Sequence, residues 1–102
     1  MNSKKYIYFV GAGGIGMAAL ERYFLSRGHR VAGYDRTRTD LTDALVAEGV
    51  ELSFEESENA IPEDFRNPES TLVVYTAAMS ESHPILKYFR QNGFEVLKRA
   101  AV

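Results

Sequence analysis

The chain has 102 residues, 45% hydrophobic and 25% charged, the profile of one soluble globular domain. Its 12 Lys and Arg against 14 Asp and Glu leave a net charge of −2, which argues against nucleic acid as the main partner. With no Cys, a disulfide framework, a Cys-ligated zinc site and a thiolate nucleophile are excluded.

Residues 6–10 are an unbroken apolar run of β-formers, which predicts a strand buried on both faces. Lys4 and Lys5 before it resemble the start of a signal peptide, but four glycines in 11–16 and acidic Glu21 spoil the apolar helix such a signal needs. No run of about 20 apolar residues is present for a membrane span, so a cytoplasmic location without membrane contact is expected. Helical spacing begins at Ile15. Ile15, Ala19 and Tyr23, with Leu20 and Phe24 on the adjacent row, predict the buried face, and Gly28 the C-terminal stop.

Residues 30–34 predict a second strand. Thr39 or Asp40 is placed to cap a second helix carrying Leu41, Ala44, Leu45 and Ala47, closed by Gly49. Residues 50–54 read as a weaker strand. Residues 55–70, acidic and broken by Pro62 and Pro68, read as a long connection with about one turn of helix. Residues 71–76 are the strongest strand after the first. Pro84 then opens a helix with Ile85, Leu86 and Phe89 inward, Gly93 ends it, and 94–97 form the last strand.

Strands alternating with helices imply a parallel sheet with right-handed crossovers and helices on both faces. The expected fold is α/β: a Rossmann-like, doubly wound sheet of about five strands in the order 3-2-1-4-5, using residues 1–102 as a single domain.

Gly11, Ala12, Gly13, Gly14, Ile15 and Gly16 match G-x-G-x-x-G between a strand and a helix, as the motif requires. Gly11 permits the tight turn, Gly13 the approach of a pyrophosphate, and Gly16 the close packing of helix on sheet. The free N–H groups at the helix start form an anion site. Asp35, 19 residues after Gly16, stands where an acidic residue accepts ribose hydroxyls; the alternative is an ordinary turn residue. Arg36 is either a partner for a 2′-phosphate or a solvated turn residue. At the end of the fourth strand, Ala77 and Ala78 leave room for a ligand, and Thr76 and Ser80 are placed either to bond it or to serve the turn. His83 reads as a helix cap or a solvent-facing residue before a ligand group, and His29 as exposed. No metal site, nucleophile–base constellation or acid–base carboxylate pair is apparent.

The run Tyr8-Phe9-Val10-Gly11-Ala12-Gly13-Gly14-Ile15-Gly16-Met17, followed by Gly33-Tyr34-Asp35-Arg36-Thr37, resembles the amino-terminal domain of a Mur ligase. Leu72-Val73-Val74-Tyr75-Thr76-Ala77-Ala78 and Lys98-Arg99-Ala100 resemble later segments of the same domain, so the similarity spans essentially the whole chain. The resemblance implies the domain that holds the UDP portion of UDP-N-acetylmuramate in an ATP- and magnesium-dependent ligase of peptidoglycan synthesis. That ligase activates the muramate carboxylate as an acyl phosphate and joins it to L-alanine. No G-x-x-x-x-G-K-[ST] motif occurs, so the expectation is a first domain alone, with ATP and Mg bound elsewhere and no catalysis by this part itself.

Carried over by resemblance, Gly11, Gly13, Gly14, Ile15 and Gly16 belong to the diphosphate loop, with Gly13, Gly14 and Ile15 giving backbone contacts. Asp35, Arg36 and Thr37 lie near the uridine, Thr76, Ala77 and Ala78 on the opposite wall, and Arg99 near the sugar or diphosphate. The chain departs from the family pattern at Ala77 (often Pro), His83 (often Asn) and Glu56 (a uracil-side His in some members). The alternative reading, from another class, is an NAD(H)-binding regulatory module of the transporter-associated type, which shares the glycine loop and the acidic residue.

Overall fold

Five short strands in the computed structural model, which describes residues 4–102, form one parallel sheet. They are β1 (Tyr6–Val10), β2 (Arg30–Tyr34), β3 (Glu51–Ser53), β4 (Thr71–Tyr75) and β5 (Glu95–Lys98), in the order β3-β2-β1-β4-β5. Helices α1 (Ile15–Ser26), α2 (Asp40–Glu48) and α3 (Pro84–Gln91) make the crossovers. β1 lies at the centre, with Tyr8 opposite Ala32 of β2 on one side and Val73 of β4 on the other. The expected fold and strand order are the observed ones.

Side-chain alternation divides the core in two. Ile7 and Phe9 of β1, with Leu72 and Val74 of β4, pack against Met17, Ala18 and Phe24 of α1 and Leu45 of α2. Tyr8 and Val10, with Val73 and Tyr75, pack on the opposite face against Ile85, Leu86 and Phe89 of α3. The central strand β1 is apolar throughout because both its faces are covered.

Three local expectations are corrected. The row through Ile15, Ala19 and Tyr23 does not face the sheet: Ile15 is 85% and Tyr23 51% exposed, while Met17, Ala18, Glu21 and Phe24 are buried. A fully buried glutamate in the true stripe made the other row look more apolar than the one that packs. On α2, Ala47 is exposed, and Thr42 joins Leu45 in the buried face. The 55–70 connection holds two 3₁₀ turns, Glu58–Ala60 and Glu63–Phe65, and tucks Ile61 and Phe65 into the α3-side core. Relative to the expectation, β3 and β4 are trimmed by a residue at their ends and β5 is shifted by one.

Gly33 makes a contact not foreseen from the chain. A Cβ there would lie 2.6 Å from the Phe9 carbonyl oxygen and 2.9 Å from the Ala12 side chain, so only glycine lets the first loop settle against β2.

Candidate functional site

The sheet order reverses between β1 and β4, and their carboxyl ends with that of β2 open onto a cleft of about 530 Å³. The chain leaving β1 turns back at once: the N–H groups of Gly11 and Ala12 both donate to the Tyr34 carbonyl, at 2.8 and 2.9 Å. Gly11 has φ +94°, and a Cβ there would overlap Thr76 Cγ2, so this turn excludes any side chain twice over.

Asp35 holds the next part of the loop. One carboxylate oxygen accepts the Gly13 N–H at 2.9 Å, and the other accepts the Thr37 N–H at 3.0 Å. A Cβ on Gly13 would stand 2.8 Å from that carboxylate carbon. In this structure, then, Gly13 makes way for Asp35, and Asp35 braces the loop from behind. Each oxygen keeps lone-pair capacity for a further donor.

Helix α1 starts without a side-chain cap and without an acidic residue in its first turn. Its first internal bond runs from Ala18 to Gly14, which leaves the N–H groups of Ile15, Gly16 and Met17 without partners among the described residues. Those groups and the positive end of the helix dipole form an anion-binding concavity. Gly16 does not lie against the sheet, as the motif led one to expect; it lies under the Arg99 guanidinium, 3.2 Å from where its Cβ would be. Arg36 and Arg99 have no ion-pair partner among the described residues.

Of the residues singled out from the chain, Gly11, Gly14, Asp35, Arg36, Thr37, Thr76 and Ala78 line the cleft. Gly13 stands behind it against Asp35, Gly16 and Arg99 flank it, and the exposed Ile15 and Ala77 are not among its lining residues. Tyr34 and Met79, not singled out from the chain, and Glu56, Ser80 and His83, given lesser weight, also line it. Tyr34 reads as a core strand residue, and as the last residue of β2 it stands at the carboxyl end that borders the cleft.

His83 is the N-cap of α3: the Ile85 N–H donates to its Nδ1 at 3.2 Å. Its ring packs on Tyr34 with centroids 4.8 Å apart. Burial lowers the His83 pKa below its ordinary value, the Glu56 carboxylate opposing that shift. Behind the loop, Glu21 has both carboxylate oxygens buried without a partner. Burial, reinforced by the Asp35 charge, pushes its pKa up to about 9.

No helix among the described residues is long and apolar enough to cross a membrane. Nor do these residues contain a group of three or more His, Asp or Glu placed to hold a metal ion.

The chain is similar to known proteins along its whole length. Residues 6–102 match the Mur ligase family, catalytic domain. UDP-N-acetylmuramate–L-alanine ligases of Phocaeicola vulgatus and Parabacteroides distasonis are 54% and 56% identical to it over 102 residues. Those matches cover all of this chain and 22% of each relative, so the chain spans about a fifth of their length. The crystal structure of the UDP-N-acetylmuramate-alanine ligase of Thermotoga maritima superposes with a TM-score of 0.82 at 28% identity, covering 94% of this chain and 21% of that one. The match over nearly every residue, with relatives more than half identical throughout, shows that the chain belongs to the Mur ligase family.

Proposed function

We propose that this chain is the domain that binds UDP-N-acetylmuramate in a cytoplasmic, ATP-dependent ligase joining L-alanine to that nucleotide sugar. The observation that carries the reading is the uncapped start of α1 beside the cleft: three N–H groups without partners among the described residues, with Arg99 over Gly16 and Arg36 in the cleft lining. A diphosphate has the charge and the acceptor geometry that such a site lacks. The identity of the relatives supports the uridine sugar as its carrier.

In this reading Ile15, Gly16 and Met17 present backbone N–H groups to the diphosphate, with Arg99 over Gly16 and Arg36 in the lining of the cleft. Gly11 and Gly13 shape the loop. Asp35 acts mainly as its brace, with spare lone pairs for a ribose hydroxyl. Thr37 stands beside it on the uridine side, and Thr76, Ala77 and Ala78 form the far wall. ATP, magnesium and L-alanine belong to the portion of such a ligase that these 102 residues do not span. The NAD(H)-module reading gains nothing from the fold, which both share, or from the relatives, which are ligases.

Calorimetric titration with UDP-N-acetylmuramate and with NADH tests the assignment. Binding of the nucleotide sugar in preference to NADH, lost in Gly14→Asp, is expected. Preference for NADH would overturn it.

A further inference from the structure

The end of α3 remote from the cleft places a carboxamide beside an unengaged backbone nitrogen. Asn92, the C-cap of the helix, is followed by Gly93, and both are exposed. The Gly93 N–H has no hydrogen-bond partner among the described residues, its φ is +78°, and nothing stands within 4 Å of where its Cβ would be. The other two asparagines among the described residues lack this combination. Asn67 precedes Pro68, which has no N–H. Asn59 precedes Ala60, whose N–H donates to the Ser57 carbonyl at 3.1 Å. A single exposed bond restrains Asn92: its Nδ2 donates to the Tyr88 carbonyl at 2.7 Å, which holds the carboxamide back over the last helical turn.

We propose that Asn92 and Gly93 close to a succinimide when the last turn of α3 opens, so that Asn92 is converted with time to aspartate and isoaspartate. The Gly93 nitrogen gives up its proton and bonds Asn92 Cγ, and the carboxamide nitrogen leaves with that proton as ammonia. Water then adds to either carbonyl of the ring. Addition at Cγ gives aspartate; addition at the backbone carbon leaves the main chain running through the side chain. One water is taken up, one ammonia is released, and nothing is oxidised or reduced. The missing side chain of Gly93 leaves the approach clear, and a helix end held by one exposed hydrogen bond opens at low cost. Neither product restores what is lost. A carboxylate cannot donate to the Tyr88 carbonyl, and its charge stands at a helix C-terminus, where the dipole favours cations. Isoaspartate also lengthens the main chain by a methylene just before Phe94, which is buried against Phe89 with ring centroids 4.8 Å apart.

Peptide mapping of the chain aged in isotope-labelled water at mildly alkaline pH, with and without urea, tests this. In the folded chain the label is expected at residue 92, with isoaspartate exceeding aspartate, and not at Asn59 or Asn67. The folded chain is expected to react about fivefold or more slowly than the urea-unfolded one, the factor carried by one hydrogen bond. Asn92→Asp, which makes one product directly, is expected to melt about 5 °C below the unsubstituted chain. No label at residue 92, or as much at Asn59, overturns the site. Equal rates with and without urea overturn its restraint by the helix end, and unchanged melting of Asn92→Asp overturns the assigned consequence.

Discussion

The starts of α1 and α2 solve the same problem in opposite ways. At α2, Thr39 and Thr42 form a reciprocal capping box: the Thr39 side chain accepts the Thr42 N–H at 3.2 Å, and Thr42 Oγ1 accepts the Thr39 N–H at 2.8 Å. Asp40 and Asp43 in the first turn add negative charge where the helix dipole favours it. At α1 the cap is Gly14, with no side-chain bond, no acidic residue, and a hydrophobic Ile15 standing in solvent. Both helices pack the same face of the sheet, so packing does not account for the difference. One helix caps its start with its own side chains; the other, among the described residues, does not.

The largest expected effect comes from forcing a side chain into the open loop. Gly11→Ala meets both a positive φ and the Thr76 methyl group, and is expected to cost about 3 kcal/mol in urea unfolding. Adding Thr76→Ser, which removes Cγ2, should recover part of that loss; no recovery would mean that φ alone governs the turn. Nearly as large is the effect of Glu21, which burdens α1 from its buried side. Its pKa is raised, so the folded state binds a proton that the unfolded chain releases, and stability falls as pH rises from about 4.5 through about 9. Glu21→Gln is expected to add about 3 kcal/mol at pH 7 and to flatten that slope, as followed by thermal melts across pH.

Removing the cap where it exists has a smaller cost. Thr39→Ala should lower stability by about 1 kcal/mol without changing nucleotide affinity. Supplying one where it is missing sharpens the contrast further. Gly14 has an extended backbone, and a Cβ there has only an ordinary contact at 3.7 Å with Met17, so Gly14→Asp fits. It is expected to stabilise the fold by a few tenths of a kcal/mol while abolishing nucleotide binding, since the new carboxylate takes the diphosphate's place. A pH-dependent effect concerns α3. Protonation of His83 removes the acceptor for the Ile85 N–H, and its pKa is lowered by burial. Stability is therefore retained above about 6.5 and declines by about 1 kcal/mol or less as pH falls below it, a slope that His83→Asn should lack.

What could be read in the chain was local. The glycine loop announces itself by spacing, the central strands by unbroken β-branched and aromatic runs, and Thr39, Pro84 and Gly49 by their positional chemistry at helix ends. The strand order followed from alternation and handedness. The rest depends on tertiary placement. Glu21 disguised the buried stripe of α1, because a charged residue in a core position contradicts the pattern used to find the core. Phe65 lies in an acidic stretch with two prolines, which reads as solvent-exposed until β1 and α3 enclose it. The site was legible where the motif is contiguous and illegible where it is assembled. Asp35 as the brace of Gly13, Arg99 over Gly16, and the meeting of Glu56 with His83 each join residues more than 20 positions apart.

The central claim is that the uncapped end of α1 takes the diphosphate of a uridine sugar, and the backbone amides themselves report on it. Titration of the ¹⁵N-labelled chain with UDP-N-acetylmuramate is expected to shift the amide signals of Ile15, Gly16 and Met17 most strongly, leave those of Thr42 and Asp43 at the capped α2 unmoved, and lose the effect in Gly14→Asp. Saturable binding that leaves the three α1 amides unchanged, or that survives Gly14→Asp undiminished, would contradict the account.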